Sequence, residues 1–313
     1  MNSFCGRIGI FLFIISPLAV KSQEGAKSLS FIAIEDSLSS LMKQIYSDAP
    51  ISGKEVANSN FTDLFRKTLA NKETFNYPFD SLKHLGKITS EDKRVRVFTW
   101  NFPQPGGYQK YFGYILLKKD NRDVQLIELN DSRKVVSDPI NSILGANSWM
   151  GALYYSIVDV SYKGKAYYIL LGLDFNNLFS SKKIIEILSF GKDAKPVFGF
   201  SVFQVDDVAL SRVVFEYSAR VNMTLRYIPE SNSIVFDHLS PMRPDLADNF
   251  QFYGPDFTYD GFKFEKGKWI YVRNLDLRNP KRGSLKPRES PERFPDPGFL
   301  YKSKGGIPYQ MVK

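Results

Sequence analysis

Leu153-Tyr-Tyr-Ser-Ile-Val-Asp-Val-Ser-Tyr-Lys-Gly-Lys-Ala-Tyr-Tyr-Ile-Leu-Leu171 decides the fold class. Two runs rich in β-branched and aromatic residues, Leu153–Val160 and Ala166–Leu171, flank Tyr162-Lys-Gly-Lys165. Such side chains favour a pleated surface. Glycine at the second central position suits a two-residue hairpin, because it accepts positive φ. The same device recurs at Glu265-Lys-Gly-Lys268, between Phe262–Phe264 and Trp269–Val272. Short turns require antiparallel neighbours.

Working outward, Val95, Val97 and Thr99 alternate with Arg94, Arg96, Phe98 and Trp100. Tyr111–Leu117 and Val124–Leu129 follow, joined by Lys119-Asp-Asn-Arg122. Val197–Val205, Arg212–Tyr217, Met223–Ile228 and Ser233–His238 are further strands, giving about eleven. One helix is expected among them, Lys182–Leu188, capped by Ser180 or Ser181 and ended by Gly191. Ahead of the strands, Ile34, Leu38, Leu41, Met42 and Ile45 form the apolar stripe of a helix that Pro50 and Gly53 end. Phe61, Leu64, Phe65 and Leu69 form a second stripe, with caps at Ser59 or Asn60. Helices followed by a long antiparallel meander indicate an α+β fold. The expected organisation is a signal peptide over 1–22, a helical section over 23–90, a β-rich body over 91–277 and a basic tail over 278–313.

Residues 1–22 read as a secretory signal: Arg7 precedes an apolar run, Ile8–Val20, too short to span a bilayer, and small Ser22 marks the cleavage position. A short membrane anchor is the alternative reading. Cys5, the single cysteine, lies before the run and is lost on cleavage, which leaves no thiol for a disulfide, nucleophile or metal. A periplasmic or extracellular protein is expected, without a transmembrane helix.

The 313 residues carry a net charge of +9. Residues 278–313 hold nine basic and three acidic residues, with six prolines and four glycines, so most of the excess belongs to the tail. That argues against a nucleic-acid-binding body, which needs basic residues clustered on a folded face. A mobile cationic strip drawn to anionic surfaces is one reading of the tail. A strap held to the body by Phe294, Phe299, Leu300, Ile307 and Tyr309 is the other.

Five segments resemble, as a set, uncharacterised exported proteins of Bacteroidota-type bacteria: Phe98–Tyr108, Ser148–Tyr155, Leu170–Asn177, Ile234–Pro241 and Phe252–Phe257. The resemblance covers roughly 90–275. It implies export and carries no catalytic residue.

Catalytic signals are sparse. After cleavage the chain keeps two histidines, His84 and His238, and no Gly-x-Ser-x-Gly elbow. His84 sits in a lysine-rich linker and reads as solvated. Asp237 and His238 end a strand; as neighbours they point to opposite faces, and the plain reading is that one satisfies the loop Ser240-Pro241. Asp174-Phe-Asn-Asn177 reads as a turn rather than a calcium loop. Asp256 and Asp260 are read the same way. A glycosidase-like pair drawn from Asp237, Asp256 and Asp260 would need two of them about 5–10 Å apart in one open cleft. No phosphate loop and no metal motif occurs, so no cofactor is expected.

The best binding candidates are aromatic loops: Trp100-Asn-Phe-Pro-Gln-Pro-Gly-Gly-Tyr108 and the turn around Trp149. Rings on rigid loops stack on sugars or anchor a protein; the competing reading places Trp100 and Trp149 at the ends of the core. The leading expectation is an exported, non-catalytic binding or envelope-assembly protein. Its ligand candidates are Trp100, Tyr108, Trp149, Asp237 and His238, and its partner an envelope protein, glycan or anionic surface. The alternative is a hydrolase of an envelope polymer acting through carboxylates.

Overall fold

The computed structural model describes residues 18–119 and 123–276. Most of the expected signal, the turn at 120–122 and the basic tail lie outside the described residues. The described part is two helices followed by sixteen strands, an α+β chain. Helix α1 (Leu18–Ile45) leads to α2 (Ile51–Leu69). Pro50 does not merely end the first helix; it is the N-cap residue of the second, which begins well before Ser59. Proline suits a helix start because the first N–H groups have no intrahelical partner.

The first sheet is an antiparallel meander of β1 (Gly86–Thr89), β2 (Val95–Pro103), β3 (Gln109–Lys118) and β4 (Val124–Asn130). The second runs β5-β9-β8-β7-β6, from β5 (Leu144–Gly145), β6 (Leu153–Tyr162), β7 (Lys165–Asp174), β8 (Ser180–Phe190) and β9 (Pro196–Phe198). The third is built from β10 (Phe203–Val205), β11 (Val208–Leu210), β13 (Leu225–Ile228), β14 (Ser233–Pro241), β15 (Tyr253–Glu265) and β16 (Lys268–Val272), in the order β11-β10-β16-β15-β14-β13. Between them in sequence, β12 (Arg212–Ser218) joins the second sheet by pairing with β8. Both expected hairpins are tight: Lys163 and Gly164 have φ of 48° and 77°, Lys266 and Gly267 of 49° and 87°, the two positive angles of a type I′ turn. One pair, β10 with β16, is parallel.

These elements stack as four layers with three cores between them. Leu38, Phe61 and Phe65 of the helices pack on Phe98, Trp100 and Tyr114 of the first sheet. The opposite face of that sheet, with Val97 and Ile115, meets Leu170, Ile184 and Val214 of the second. Ile169, Ile185 and Val213 then meet Phe203, Phe236 and Trp269 of the third.

The expected helix over 182–188 is therefore strand β8. Its isoleucines are not one stripe. Ile184 and Leu188 enter one core while Ile185 and Ile187 enter the next. A strand buried on both faces reads as an unbroken apolar run, and β-branched side chains favour it over a helix. The count of about eleven strands also falls short, because two- to four-residue strands such as β5, β9, β10 and β11 carry little periodicity.

Candidate ligand-binding site

Two of the aromatic candidates are core residues. Trp100 is fully buried, stacked on Phe112 with ring centroids 5.4 Å apart, and its indole N–H donates to Asn58 Oδ1 at 3.0 Å. Trp149 is fully buried too, donating to the Tyr154 hydroxyl at 2.8 Å. Tyr154 donates to Glu186, which accepts from Arg212 Nε at 2.5 Å, all inside the fold. From there neither indole can stack on a ligand; rings this large are drawn inward by the area they bury.

Tyr108 remains outside, 57% exposed. It ends the loop joining β2 to β3, which turns through Gly106 and Gly107 at φ of 75° and 77°. The Gln104 N–H closes the loop on the Tyr108 carbonyl at 2.8 Å. Gly107 is required twice over, since a Cβ there would lie 2.4 Å from Leu178 Cγ. Leu178 belongs to the turn from β7 to β8, so the two loops are locked together.

Behind Tyr108 lies a cavity of about 260 Å³. Its floor is apolar: Val136, Pro139, Met150, Ile184 and Val214. Its rim is polar, with Arg133, Lys134, Lys182, Asp174, Asn176 and Gln109. Arg133 is fixed from several sides. Its Nε and Nη2 lie 3.0 Å from the Asp131 oxygens, and its Nη1 lies 2.8 Å from Asp174 Oδ1. It also donates to the Gln109 carbonyl and sits 4.5 Å over the Tyr111 ring. Burial opposes its charge, but Asp174 and Asp131 outweigh that and hold the guanidinium above its ordinary pKa. Lys182 Nζ is 3.8 Å from Glu216 Oε2, while Glu216 Oε1 accepts from Asn176 Nδ2 at 3.1 Å and from the Ser180 hydroxyl. Arg133 is thus paired with Asp131 and Asp174, and Lys182 with Glu216.

A second cavity, about 520 Å³, opens on the other side of the β7–β8 turn. Leu173 and Phe175 line it, while Asp174 and Asn176 line the first. Alternation along an extended chain divides them this way. The backbone N–H of Phe175 donates to the Tyr111 hydroxyl at 2.8 Å, which fixes the turn. On the far wall the rings of Tyr46 and His84 are 4.4 Å apart. The Tyr46 hydroxyl lies 2.8 Å from the Asn101 carbonyl, and Asn101 Nδ2 donates to Gln109 Oε1 at 2.8 Å, linking the walls of the two cavities. Tyr155 completes the lining. It is the extra residue of a β-bulge, between the pairs Tyr154–Gly172 and Ser156–Leu171. Bulges re-aim a side chain, and here one tyrosine enters the core while the next faces the cavity. The Tyr155 hydroxyl donates to the Leu225 carbonyl at 2.9 Å, and Lys183 Nζ lies 4.4 Å over its ring.

Two of the carboxylate candidates, Asp256 and Asp260, face each other across His238, where Asp260 is fully buried. Asp237 does not serve the Ser240-Pro241 loop; its Oδ2 accepts from the Thr224 N–H at 2.7 Å. His238 is buried with Nδ1 2.7 Å from Asp260 Oδ2, and Asp260 also accepts from the Tyr271 hydroxyl and the Asn274 N–H, both at 2.8 Å. Burial acts to raise the Asp260 pKa, yet these donors overcome it and hold the carboxyl below its usual value. Asp256 faces the opposite ring nitrogen of His238 at 3.8 Å, in a register irregularity of β14 and β15. That irregularity pushes Phe257 out at φ 68° and 93% exposure. None of Asp237, Asp256 and Asp260 lines either cavity. Asp174 does form a turn, accepting from the Asn176 N–H at 2.7 Å. Among the described residues no group of three His, Cys, Asp or Glu side chains is placed to hold a metal ion. His84 is exposed, as expected, but it lines the second cavity.

Arg133, Lys182, Tyr46, Tyr155 and Phe175 were not legible as site residues. Lys182 was hidden by the helix reading of β8, and Tyr155 by a bulge that leaves no mark in composition. The paired glycines before Tyr108 were the one usable signal. No family model, no curated protein and no solved structure matches the chain.

Proposed function

We propose that the protein is an exported, non-catalytic binding protein that holds a neutral, hydroxyl-rich ligand, a unit of an envelope glycan, in the cavity beside Tyr108. The observation that carries this reading is the combination of an exposed tyrosine at the lip with a polar rim in which Arg133 is paired to Asp131 and Asp174, and Lys182 to Glu216. A rim whose Arg133 and Lys182 are already paired offers donors and acceptors in fixed directions. That suits hydroxyl groups better than a carboxylate or an amine. At about 260 Å³ the cavity falls just under the range of small-molecule sites, roughly 300–1,000 Å³, which favours a single ring. Export is supported by the apolar N-terminal run and small Ser22.

Calorimetric titration with glucose and N-acetylglucosamine tests the reading. The native protein is expected to bind one of them, and Tyr108→Ala to weaken it about tenfold with an unchanged melting temperature. No binding of either sugar, or equal binding by the variant, overturns it. Mass spectrometry of the protein from its native host tests export; the expected N-terminus is near Gln23, and an intact Met1 refutes it.

A further inference from the structure

The two cavities share one partition. Asp174 and Asn176 face the smaller, Leu173 and Phe175 the larger, and the Asn101–Gln109 hydrogen bond joins the walls behind them. The larger cavity differs in kind. It carries Tyr46, His84, Tyr155 and Phe175, so it offers ring faces where the smaller offers fixed polar groups. Phe175 and Tyr155 keep 41% and 42% of their surface exposed, which is unusual for large aromatic side chains beside a core. A monosaccharide held at Tyr108 leaves these rings without a role.

We infer that the ligand is an extended oligosaccharide that crosses the turn at 174–176, with one unit in the polar cavity and the next units over the aromatic one. The inference rests on the glycan reading of the Tyr108 cavity. Sugar rings present apolar C–H faces as well as hydroxyl edges, and consecutive rings of a chain can use the two kinds of wall in turn. The rings are pre-positioned: Tyr155 is held by its hydroxyl on Leu225, His84 by Tyr46, and the Phe175 backbone by Tyr111. Little ordering is then left for the binding step.

The test is chain-length dependence. Oligomers of β-1,4-linked N-acetylglucosamine, and of β-1,4-linked glucose, from one to six units, are titrated into the full chain, into Phe175→Ala and into His84→Ala. Both substituted side chains are well exposed, so each variant is expected to fold; melting temperatures check this. Affinity in one series is expected to rise about tenfold from monomer to tetramer, and Phe175→Ala to remove most of that rise while leaving monomer affinity intact. His84→Ala is expected to remove part of it. Equal affinity for monomer and tetramer overturns the inference and leaves the glycan reading standing. A rise that both variants retain overturns the assigned path. Failure of every oligomer to bind removes both readings.

Discussion

Nδ1 of His238 lies 2.7 Å from Oδ2 of Asp260, a carboxylate with no exposed surface that also takes hydrogen bonds from Tyr271 and Asn274. Asp260 therefore ties three strands, β14, β15 and β16, and the segment after them. Asp260→Asn is expected to cost roughly 1–3 kcal/mol, since donors aimed at a buried acceptor are left poorly matched. Chemical denaturation of the two proteins measures it, and a cost near zero refutes the role.

The same carboxyl sets an acid limit. Its pKa in the folded chain lies below the usual 3.8, so the unfolded chain takes up the proton first as pH falls. The stabilisation is complete above the unfolded value and is lost as pH drops through the lower folded value. Stability measured between pH 5 and pH 2 is expected to fall more steeply for the native protein than for Asp260→Asn. Parallel profiles contradict this.

Glu186 and Arg212 form a fully buried ion pair between β8 and β12, extended by Tyr154 and Trp149. Removing one charge strands the other, so Glu186→Gln is expected to cost about 3–5 kcal/mol. The double variant Glu186→Leu, Arg212→Leu is expected to be less damaged than the sum of its single changes. Additive losses in a double-mutant cycle contradict the coupling.

Gly164 and Gly267 occupy equivalent turn positions at φ 77° and 87°, yet their surroundings differ. Nothing lies within 4 Å of a Cβ at Gly164, whereas one at Gly267 would fall 2.5 Å from Tyr162 Cδ1. Valine at either position meets about 1–2 kcal/mol of backbone strain, and Gly267→Val adds a clash with the ring. The melting temperature of Gly267→Val is expected to be the lower of the two. The reverse order disproves the contact argument.

Phe65 touches five rings, Phe61, Phe79, Phe98, Trp100 and Tyr114, with centroids 5.3 to 6.1 Å away. Phe65→Ala is expected to cost roughly 3–5 kcal/mol and to lower one cooperative transition rather than melt a separate helical unit. A body transition unmoved by this variant shows that the helices are not part of its core.

Period-two alternation and the Lys-Gly turns make the α+β class and both hairpins readable from the sequence. The layering was not readable, because it depends on what lies opposite each face. Arg96 illustrates this. It sits on β2 where the pattern suggests a solvent face, but it is buried, donating to the carbonyls of Thr74, Phe75 and Tyr77. A guanidinium with such partners can enter a core and look, in sequence, like a surface charge. The site was harder still. Tyr108 could be found because a double-glycine loop needs a reason. The aromatic wall is assembled from residues as distant as Tyr46 and Phe175, and only register brings them together.

The parallel pairing of β10 with β16 has a temporal side. The first sheet pairs only neighbours in sequence, and the second is complete once Ser218 is available. Phe203 and Gln204, however, meet Trp269 and Ile270, strands some sixty positions further on. The third sheet therefore joins its two parts, β11-β10 and β15-β14-β13, only through β16. Without β16 the core under β7, β8 and β12 lacks Trp269, and the facing edges of β10 and β15 stand unpaired. Polypeptides cut short ahead of Lys268 would keep those two edges open to proteases and to one another. One short strand, β16, thus holds the two parts of that sheet together.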